Sequence, residues 1–428
     1  VTIRNTGGVG SASRLSVRGL EGKRLGLFVD ETAMNQFSNF ITLNDIPTDM
    51  IARIEIYKGV VPITFGADAL GGAVNIVTRR SKRNYANLSY TFGSFNTHKS
   101  TLRIGQRLTD NISLELNAYQ NYSDNNYKVF TKYLDVHTGV FSKEPRWFTR
   151  FHDRYHNEAL IGRLNIFNEK WADKLSFGLN YNQEYKQIQN ANLMQIVFGG
   201  KYRTSHTYSS SMEYEKKNII RGLSFALTGR YDLTTTRNAD EEPRQYAWDG
   251  TYRTKATKGE VQHILQTFEG KTGYVTSHID YMPAPEHLFQ VSNTYSHYKR
   301  TTTDNVVSLA TTAADFMRRV NQKNIVGFSY KFAQYYTTKV TGPVQIAGNA
   351  SNAVYEEQSR YSSTTGYGLA TTYQLLNPLQ VKLSYEKTFR LPTERELFGD
   401  GDLEQGDQQL KPENSHNINF NLSYQPVA

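Results

Sequence analysis

The chain has 428 residues, a formal charge of +9 and no cysteine, which excludes a disulfide scaffold and cysteine-based metal sites. Its hydrophobic content is 38%, and no run of about 18 apolar residues is present, so a membrane-spanning helix is not expected. The positive charge is spread along the chain without a recognition helix or a nucleic-acid-binding motif, so we expect no nucleic-acid partner.

Residues 1–80 predict a small mixed domain. Leu15–Gly19 and Arg24–Asp30 alternate like short strands, and the polar stretch Glu31–Asn39 follows them as a loop. Ile46–Ala52 predicts a short helix, because Pro47 suits the first helical turn.

The stretch Ile51–Arg80 predicts a strand, a glycine-rich turn at Phe65–Gly72 and a second strand at Ala73–Val77. Glycine takes backbone conformations that a Cβ would forbid, so this turn must bend sharply or pack tightly. A phosphate-binding loop is not indicated, because neither Gly-Lys-Ser/Thr nor G-x-G-x-x-G is present.

After Arg83, apolar and polar residues alternate over segments of roughly 9 to 15 residues, longer than a typical globular strand of about 5 or 6. With 29 Tyr and 22 Phe, this pattern is typical of a transmembrane antiparallel β-barrel, and roughly 13 to 15 strands are expected. A soluble all-β protein, which would extract without detergent, is the alternative. The clearest segments are Ile112–Tyr119, Leu175–Tyr181, Leu223–Asp232, Leu379–Glu386 and Asn417–Tyr424.

Short turns alternate with long connections, as in outer-membrane barrels, where the long loops are extracellular. The predicted tight turns are Leu108–Asn111, Trp171–Lys174 and Leu376–Pro378. The predicted long loops are Ser123–Asn157, Asn190–Ser205, Thr235–Gln262 and Ala347–Arg360.

Four ordered segments, SVRGL, RLGLFVD, LNDIPTDMIARIEIYKG and FGADALGGAVNIVTRR, resemble the plug domain of a TonB-dependent outer-membrane receptor. The resemblance implies a small α+β plug inside a 22-stranded barrel in the bacterial outer membrane. Residues 1–80 would be the C-terminal part of the plug and residues 81–428 an incomplete barrel with long extracellular loops. We expect the plug start, with its TonB-pairing segment, and the last strands to lie outside this chain. Asp30-Glu31 replaces the usual Asp-Gly.

Two later motifs strengthen this resemblance. EKTFRLP at Glu386–Pro392 and LKPENS at Leu410–Ser415 are similar to the Phe-Arg-x-Pro and Leu-Lys-Pro-Glu-x-Ser motifs of these receptors. Haem receptors of the class place a histidine between the two motifs, and none lies between Phe389 and Leu410 here. A haem ligand is therefore less favoured than the motifs alone suggest.

Candidate ligand-binding residues lie in two places. The resemblance puts Met34, Asn35, Gln36 and Phe37 at the plug apex, where an ordinary turn is the alternative. Aromatic and basic side chains in the Ser123–Asn157 loop suit a large, flat, anionic ligand, although they could also form the loop's own cluster. His152 and His156 share a face by their spacing and are candidate iron or haem ligands. The loop candidates are Tyr127, Trp147, Arg150, His152, Tyr155 and His156.

A contact between plug and barrel is predicted at Glu386. Strand alternation puts this carboxylate in the lumen if Leu383 and Tyr385 face lipid. The resemblance implies plug cations just before glycines as its partners, and Arg18 and Lys58 match that pattern.

The resemblance implies import of a scarce, bulky solute, first an iron complex (siderophore or haem), with cobalamin or a glycan as alternatives. The iron complex would be the transported ligand, and no cofactor is expected. A passive pore or surface adhesin is the rival from another class, and no catalytic arrangement is recognisable. Expected partners are the TonB energy-transducing complex, outer-membrane lipid and, as a further candidate, a surface lipoprotein.

Overall fold

The computed structural model describes residues 2–5, 7–11, 13–17, 19–34, 46–57, 61–65, 72–80, 83–191, 194–306, 319–335, 340–355, 360–376, 378–399 and 406–424. Within these residues the chain forms a small plug and a large antiparallel sheet that is the barrel wall. The predicted fold class is confirmed. None of the described helices combines the length and the apolar character needed to cross a membrane.

The plug contains two small sheets, one of three strands and one of four, in which β4 and β7 pair in parallel. The predicted helix at Ile46–Ala52 is a single 3-10 turn, Thr48–Met50, because β6 begins directly at Ile51. Two other 3-10 turns lie at Gly22–Arg24 and Ile63–Phe65. The plug strands are β1 (Thr2–Asn5), β2 (Ser13–Val17), β3 (Leu20–Glu21), β4 (Gly26–Val29), β5 (Thr32–Ala33), β6 (Ile51–Tyr57) and β7 (Ala73–Thr78).

The wall is a 14-stranded antiparallel sheet with two small hairpins in its loops. Its strands in chain order, with the hairpin strands β11, β12, β17 and β18 included, are β8 (Tyr85–Gly93), β9 (Thr97–Arg107), β10 (Ile112–Ser123), β11 (Lys128–Thr131), β12 (Arg146–Thr149), β13 (Tyr155–Glu169), β14 (Ala172–Gln187), β15 (Tyr202–Ile220), β16 (Leu223–Asp240), β17 (Arg244–Tyr246), β18 (Tyr252–Thr254), β19 (Ile264–Ala284), β20 (His287–Asp304), β21 (Arg319–Tyr335), β22 (Val340–Tyr355), β23 (Arg360–Leu376), β24 (Leu379–Arg390) and β25 (Glu413–Tyr424). The five-residue helix α1 (Glu394–Phe398) lies between β24 and β25.

Side chains alternate between the two faces of the wall in the sense that a membrane barrel requires. In β10, Ser113 and Glu115 are buried on the inner face, whereas Leu114 and Leu116 are exposed on the outer face. A soluble protein would bury the leucines, so the reversed pattern places a hydrocarbon phase outside the wall.

Loop lengths also alternate, with short turns on one rim and long connections on the other. The predicted long loops correspond to residues 124–154, 188–201 and 241–263. The fourth prediction, Ala347–Arg360, is wrong, because β22 runs to Tyr355 and pairs with both β21 and β23. The small polar residues of this segment have low strand propensity, but hydrogen bonding to the strands on both sides outweighs that propensity.

The outward orientation of the leucines can be tested at Leu179, which lies near the middle of β14 and is 71% exposed. In a lipid-facing position, Leu179→Lys should destabilise the barrel by about 2–4 kcal/mol. The matched change Leu108→Lys, in a rim turn, should cost about 0–1 kcal/mol. Denaturant titrations of both variants folded into lipid vesicles measure the difference. Equal, small effects would contradict a lipid-facing wall.

Candidate functional site

The tip of the plug is tied to the outer mouth of the wall through one side chain. The tip lies between β1 and β2, and Val9 N–H donates to Asn125 Oδ1 at 3.0 Å. Asn125 Nδ2 donates back to the Val9 carbonyl at 2.9 Å and to the Asp153 carbonyl at 3.0 Å. The Asn125 carboxamide thus forms the same reciprocal pair of bonds that two β-ladder residues exchange.

Glycine is required at the plug tip beside this contact. Gly10 has φ +75°, and a Cβ there would lie 2.1 Å from the Tyr155 ring. Lys186 Nζ donates to the Gly10 carbonyl at 2.7 Å. Tyr155, a candidate ligand residue, is therefore buried beneath the tip, with its hydroxyl 3.2 Å from Glu184.

Of the four plug candidates, the structure describes Met34. It is buried and lines a cavity of about 160 Å³ between plug and wall. Asn35, Gln36 and Phe37 lie outside the described residues. The cavity has a mainly apolar lining and carries several charged groups on its wall side. These groups include Arg103, Glu115, Arg163, Glu213 and Arg230.

The long loop 124–154 carries an exposed aromatic pair on its hairpin. Phe130 and Trp147 are cross-strand partners with ring centroids 5.2 Å apart, and 65% of Trp147 is exposed. Arg150 lies over the Tyr127 ring at 5.2 Å, and its Nε donates to Asp153 at 2.8 Å. The Trp147 ring is therefore exposed to solvent, whereas Tyr127 and Arg150 contact each other within the loop.

The two candidate histidines are not brought together. His152 is buried in the loop, and its Nε2 lies 2.7 Å from the Lys201 carbonyl. Burial lowers the pKa of His152. His156 follows inward-facing Tyr155 in β13, so it faces outwards, where it contacts Tyr122 at 6.1 Å between ring centroids. Among the described residues, no cluster of three or more His, Cys, Asp or Glu side chains could hold a metal ion.

Two further long loops are joined by Glu260. Its carboxylate accepts hydrogen bonds from the backbone N–H groups of Gly199, Gly200 and Lys201 at 2.6, 3.0 and 3.1 Å. Burial raises the pKa of Glu260 to about 7, although these three donors favour the carboxylate. We refer to Glu260 and these three amides as the loop latch. The alternation of apolar and polar residues in the sequence did not reveal the loop latch, because its residues lie in loops between strands.

At the short-turn end of the lumen, the plug meets the wall through a partly buried ion cluster. Arg80 donates to Glu213 of β15 at 2.7 Å and to Asp30 of the plug at 3.0 Å. Lys174 of β14 also lies 2.5 Å from Glu213. This Arg80 cluster separates the cavity beside Met34 from a second, larger cavity of about 540 Å³.

The unusual Asp30-Glu31 pair belongs to the same region. Both residues have positive φ, +48° and +64°, which non-glycine residues adopt at some energetic cost. Glu31 N–H donates to Asn75, and Asp30 accepts from Thr78 and Arg80. These bonds hold a left-handed turn in which glycine at position 31 would be less strained than glutamate.

Glu386 lies on the inner face of β24, where it accepts a hydrogen bond from the backbone of Val61 in the plug. Its predicted partners Arg18 and Lys58 lie outside the described residues, so that contact stays a prediction. The structure adds a second contact, because plug Arg24 donates to Glu413 at 3.2 Å. Glu413 also pairs with Arg390 at 3.2 Å, so the two C-terminal motifs meet at one carboxylate.

The comparisons with known proteins agree with this architecture. Residues 1–73 match the TonB-dependent receptor plug domain, and residues 157–427 match the model described as TonB dependent receptor-like, beta-barrel. The chain belongs to the TonB-dependent receptor family. The resemblance seen in the sequence and the location in the bacterial outer membrane are thereby confirmed. The division at residue 80 stays a prediction.

Individual relatives are distant. The vitamin B12 transporter BtuB of Vibrio cholerae is 22% identical over 97% of this chain, which spans 59% of that relative's length. The copper transporter OprC has a TM-score of 0.72 at 11% identity, and the match covers 100% of this chain and 65% of the OprC chain. The FrpB iron transporter of Neisseria meningitidis has a TM-score of 0.70 at 13% identity, covering 99% and 67%. At such identities these structures support the fold alone.

The Arg80 cluster should contribute strongly to plug docking. Arg80→Met leaves the partly buried carboxylates of Asp30 and Glu213 with less compensation, which should cost about 1–3 kcal/mol. Arg53→Met removes an exposed pair with Glu55 and should cost less than about 1 kcal/mol. Hydrogen exchange of the β7 amides against urea, with β14 as the barrel reference, measures the difference. Equal protection of β7 in both variants would contradict this role.

The loop latch predicts a pH dependence. A carboxyl with a pKa of about 7 in the folded loop and about 4.5 in the opened loop loses stability as pH rises from about 4.5 to about 7. The change is on the order of 3 kcal/mol. Tryptic cleavage after Lys258 should therefore accelerate between pH 5.5 and 8, relative to cleavage after exposed Lys143.

The variant Glu260→Gln removes the titrating group. Its cleavage ratio between Lys258 and Lys143 should stay constant over the same pH range. A pH-dependent ratio that persists in Glu260→Gln would assign the effect to another group.

Proposed function

We propose that the protein imports a scarce, bulky solute across the outer membrane by TonB-dependent active transport, and that the solute is an iron–siderophore complex. The observation that carries the proposal is the fixation of the plug at both ends of the lumen. Val9 is bound at the outer mouth, and Arg80 is bound near the short-turn rim. Solute can pass only if part of the plug moves.

Plug movement requires energy, because the inner contact consists of partly buried charges that lose their partners. An outer membrane has no nucleotide supply of its own, so the energy would come from the TonB complex, which the family name implies as partner. A passive pore would not need such contacts, and neither would an adhesin. These contacts therefore favour gated uptake over the pore and the adhesin.

The exposed aromatic pair is the best candidate for first contact with ligand. The rings of Trp147 and Phe130 are exposed to solvent, and Lys128 lies on the same face of the hairpin. Rings and a cation together suit an anionic complex that presents flat aromatic rings, through stacking and charge. Catecholate-type iron complexes carry negative charge and present such rings. Two similar structures support this choice of ligand. They are the FrpB iron transporter and the ferric enterobactin receptor PfeA, the latter with a TM-score of 0.69 at 14% identity over 99% of this chain and 66% of PfeA.

Haem is a weaker candidate than a siderophore. His152 is engaged with the Lys201 carbonyl, and His156 faces outwards, so neither ring is available to iron in the lumen. Cobalamin is the second candidate, because the curated relatives are named vitamin B12 transporters. Nothing described in the structure favours a glycan.

The protein is proposed to act without a catalytic centre or a resident cofactor, since the iron complex is cargo. Outer-membrane lipid surrounds the wall, and a surface lipoprotein remains a predicted partner. Met34, Tyr127, Arg150 and Tyr155 keep supporting roles around the ligand path, by packing and by holding loop 124–154.

A deletion strain grown on single iron sources, haem or cobalamin tests the cargo. Loss of growth on one ferric siderophore, with normal growth on haem and cobalamin, is the expected outcome. Normal growth on every iron source with loss of cobalamin use would replace the iron proposal by the cobalamin one. Normal growth on all of them would overturn both.

A matched pair of variants tests the recognition surface. Trp147→Ala should weaken binding of the ferric siderophore about fivefold to tenfold, since a lost stacking contact is worth about 1 kcal/mol or more. Trp171→Ala is the control, because Trp171 is 52% exposed but lies in a short turn on the opposite rim. Equilibrium binding to the purified receptor measures both. Equal affinities of the two variants would remove Trp147 from the site.

A further inference from the structure

Two lysines face each other on the outer surface of the wall. Lys271 of β19 and Lys299 of β20 are direct cross-strand partners. On β19 the alternation puts Lys271 on the same face as exposed Val275 and Ile279, while Tyr274 is buried on the inner face. On β20, Lys299 shares its face with exposed Val291 and Tyr295.

This arrangement is unfavourable by itself. Side chains directly opposite in an antiparallel pair have Cβ atoms about 4.5–5.5 Å apart, and like charges at that distance repel. Among the described residues, no carboxylate lies within ion-pair distance of either ammonium group. Glu269 shares the face but sits opposite Thr301, and Arg237 adds a further positive charge nearby. The local balance is therefore positive.

The depth of the pair in the membrane follows from strand geometry. Tyr281 and Phe289 are cross-strand partners beside the short turn, and both are exposed on the outer face. Lys271 lies ten residues from Tyr281 on β19, and Lys299 lies ten residues from Phe289 on β20. About 9–11 tilted strand residues cross the hydrocarbon layer. The lysines therefore lie at the opposite interface, towards loop 241–263.

We propose that Lys271 and Lys299 bind a phosphate group of the phosphorylated glycolipid in the outer leaflet of the outer membrane. A phosphate between two ammonium groups converts their repulsion into two charge-assisted contacts. The exposed rings of Tyr208 and Tyr231 lie on neighbouring outward positions, where amphipathic side chains meet lipid headgroups. A protein partner is less suited, because the surrounding face is the lipid-facing apolar band.

The proposal can be tested with the receptor purified from its outer membrane and the bis-phosphorylated form of lipid A as probe. Native mass spectrometry of a lipid titration gives the affinity. Each lysine near an anionic headgroup contributes roughly fivefold in binding. Lys271→Gln combined with Lys299→Gln should therefore weaken binding at least tenfold. Replacement of both by arginine should preserve it.

The matched control is Lys170→Gln, which removes the same charge from an exposed turn on the other rim. Its affinity for lipid A should equal that of the unaltered receptor. Dephosphorylated lipid A and phosphatidylglycerol are the remaining arms, and both should bind more weakly than the phosphorylated lipid. Unchanged affinity in the double glutamine variant, equal binding of dephosphorylated lipid A, or equal binding of phosphatidylglycerol would each overturn the proposal. The test measures lipid binding alone, so its result does not depend on which solute the receptor imports.

Discussion

The inner face of the wall is polar, and polar groups taken out of water need partners. Ser113, Glu115 and Asp232 are among the inward side chains that are almost fully buried. The plug provides partners for part of this face, as when Arg103 of β9 donates to the Asp49 carbonyl and Ser292 of β20 donates to the Ile63 carbonyl. The hydrophobic effect holds the wall in lipid, whereas hydrogen bonds and ion pairs hold the plug in the wall.

This division of forces explains why the functional contacts are reversible. Apolar packing within the plug is confined to small clusters such as Phe28, Val61, Phe65 and Ala73, which lie within the plug itself. The contacts that cross to the wall include many polar ones, together with a small apolar cluster of plug Met50 with Tyr119 and Ala159 of the wall. Polar contacts exchange with water at modest net cost, so a plug can leave its place without exposing a large apolar surface.

Strand alternation carried the sequence-based prediction a long way. The period of two in β10, β14 and β24 requires only local residues, and a slip of one position would reverse every side chain. That logic placed Glu386 on the inner face of β24. It failed in β22, where small polar residues resemble a loop and only the neighbouring strands reveal the pairing. The glycine-rich Ile51–Arg80 stretch was recognisable, but the partners of Arg80 were not, because Glu213 lies 133 residues away.

The candidate site was harder to predict than the fold. His152 and His156 share a face only if the chain between them is regular, and it changes there from loop to strand. Tyr155 has the composition of a ligand residue, yet it is buried under Gly10 of the plug tip. The role of an aromatic residue in a loop depends on which distant segment covers it, and loop composition does not specify that segment.

The two ends of the plug differ in how they are held. At the outer mouth, Val9 and Asn125 exchange two neutral hydrogen bonds, and Lys186 adds one charge-assisted bond to the Gly10 carbonyl. Together these bonds are worth about 2.5–6 kcal/mol, so the tip is open in at most about one molecule in seventy. The inner end is held by the partly buried ion pairs of Arg80 instead. The plug is therefore held at its outer end by hydrogen bonds to its backbone and at its inner end by ion pairs, so the two ends can open separately.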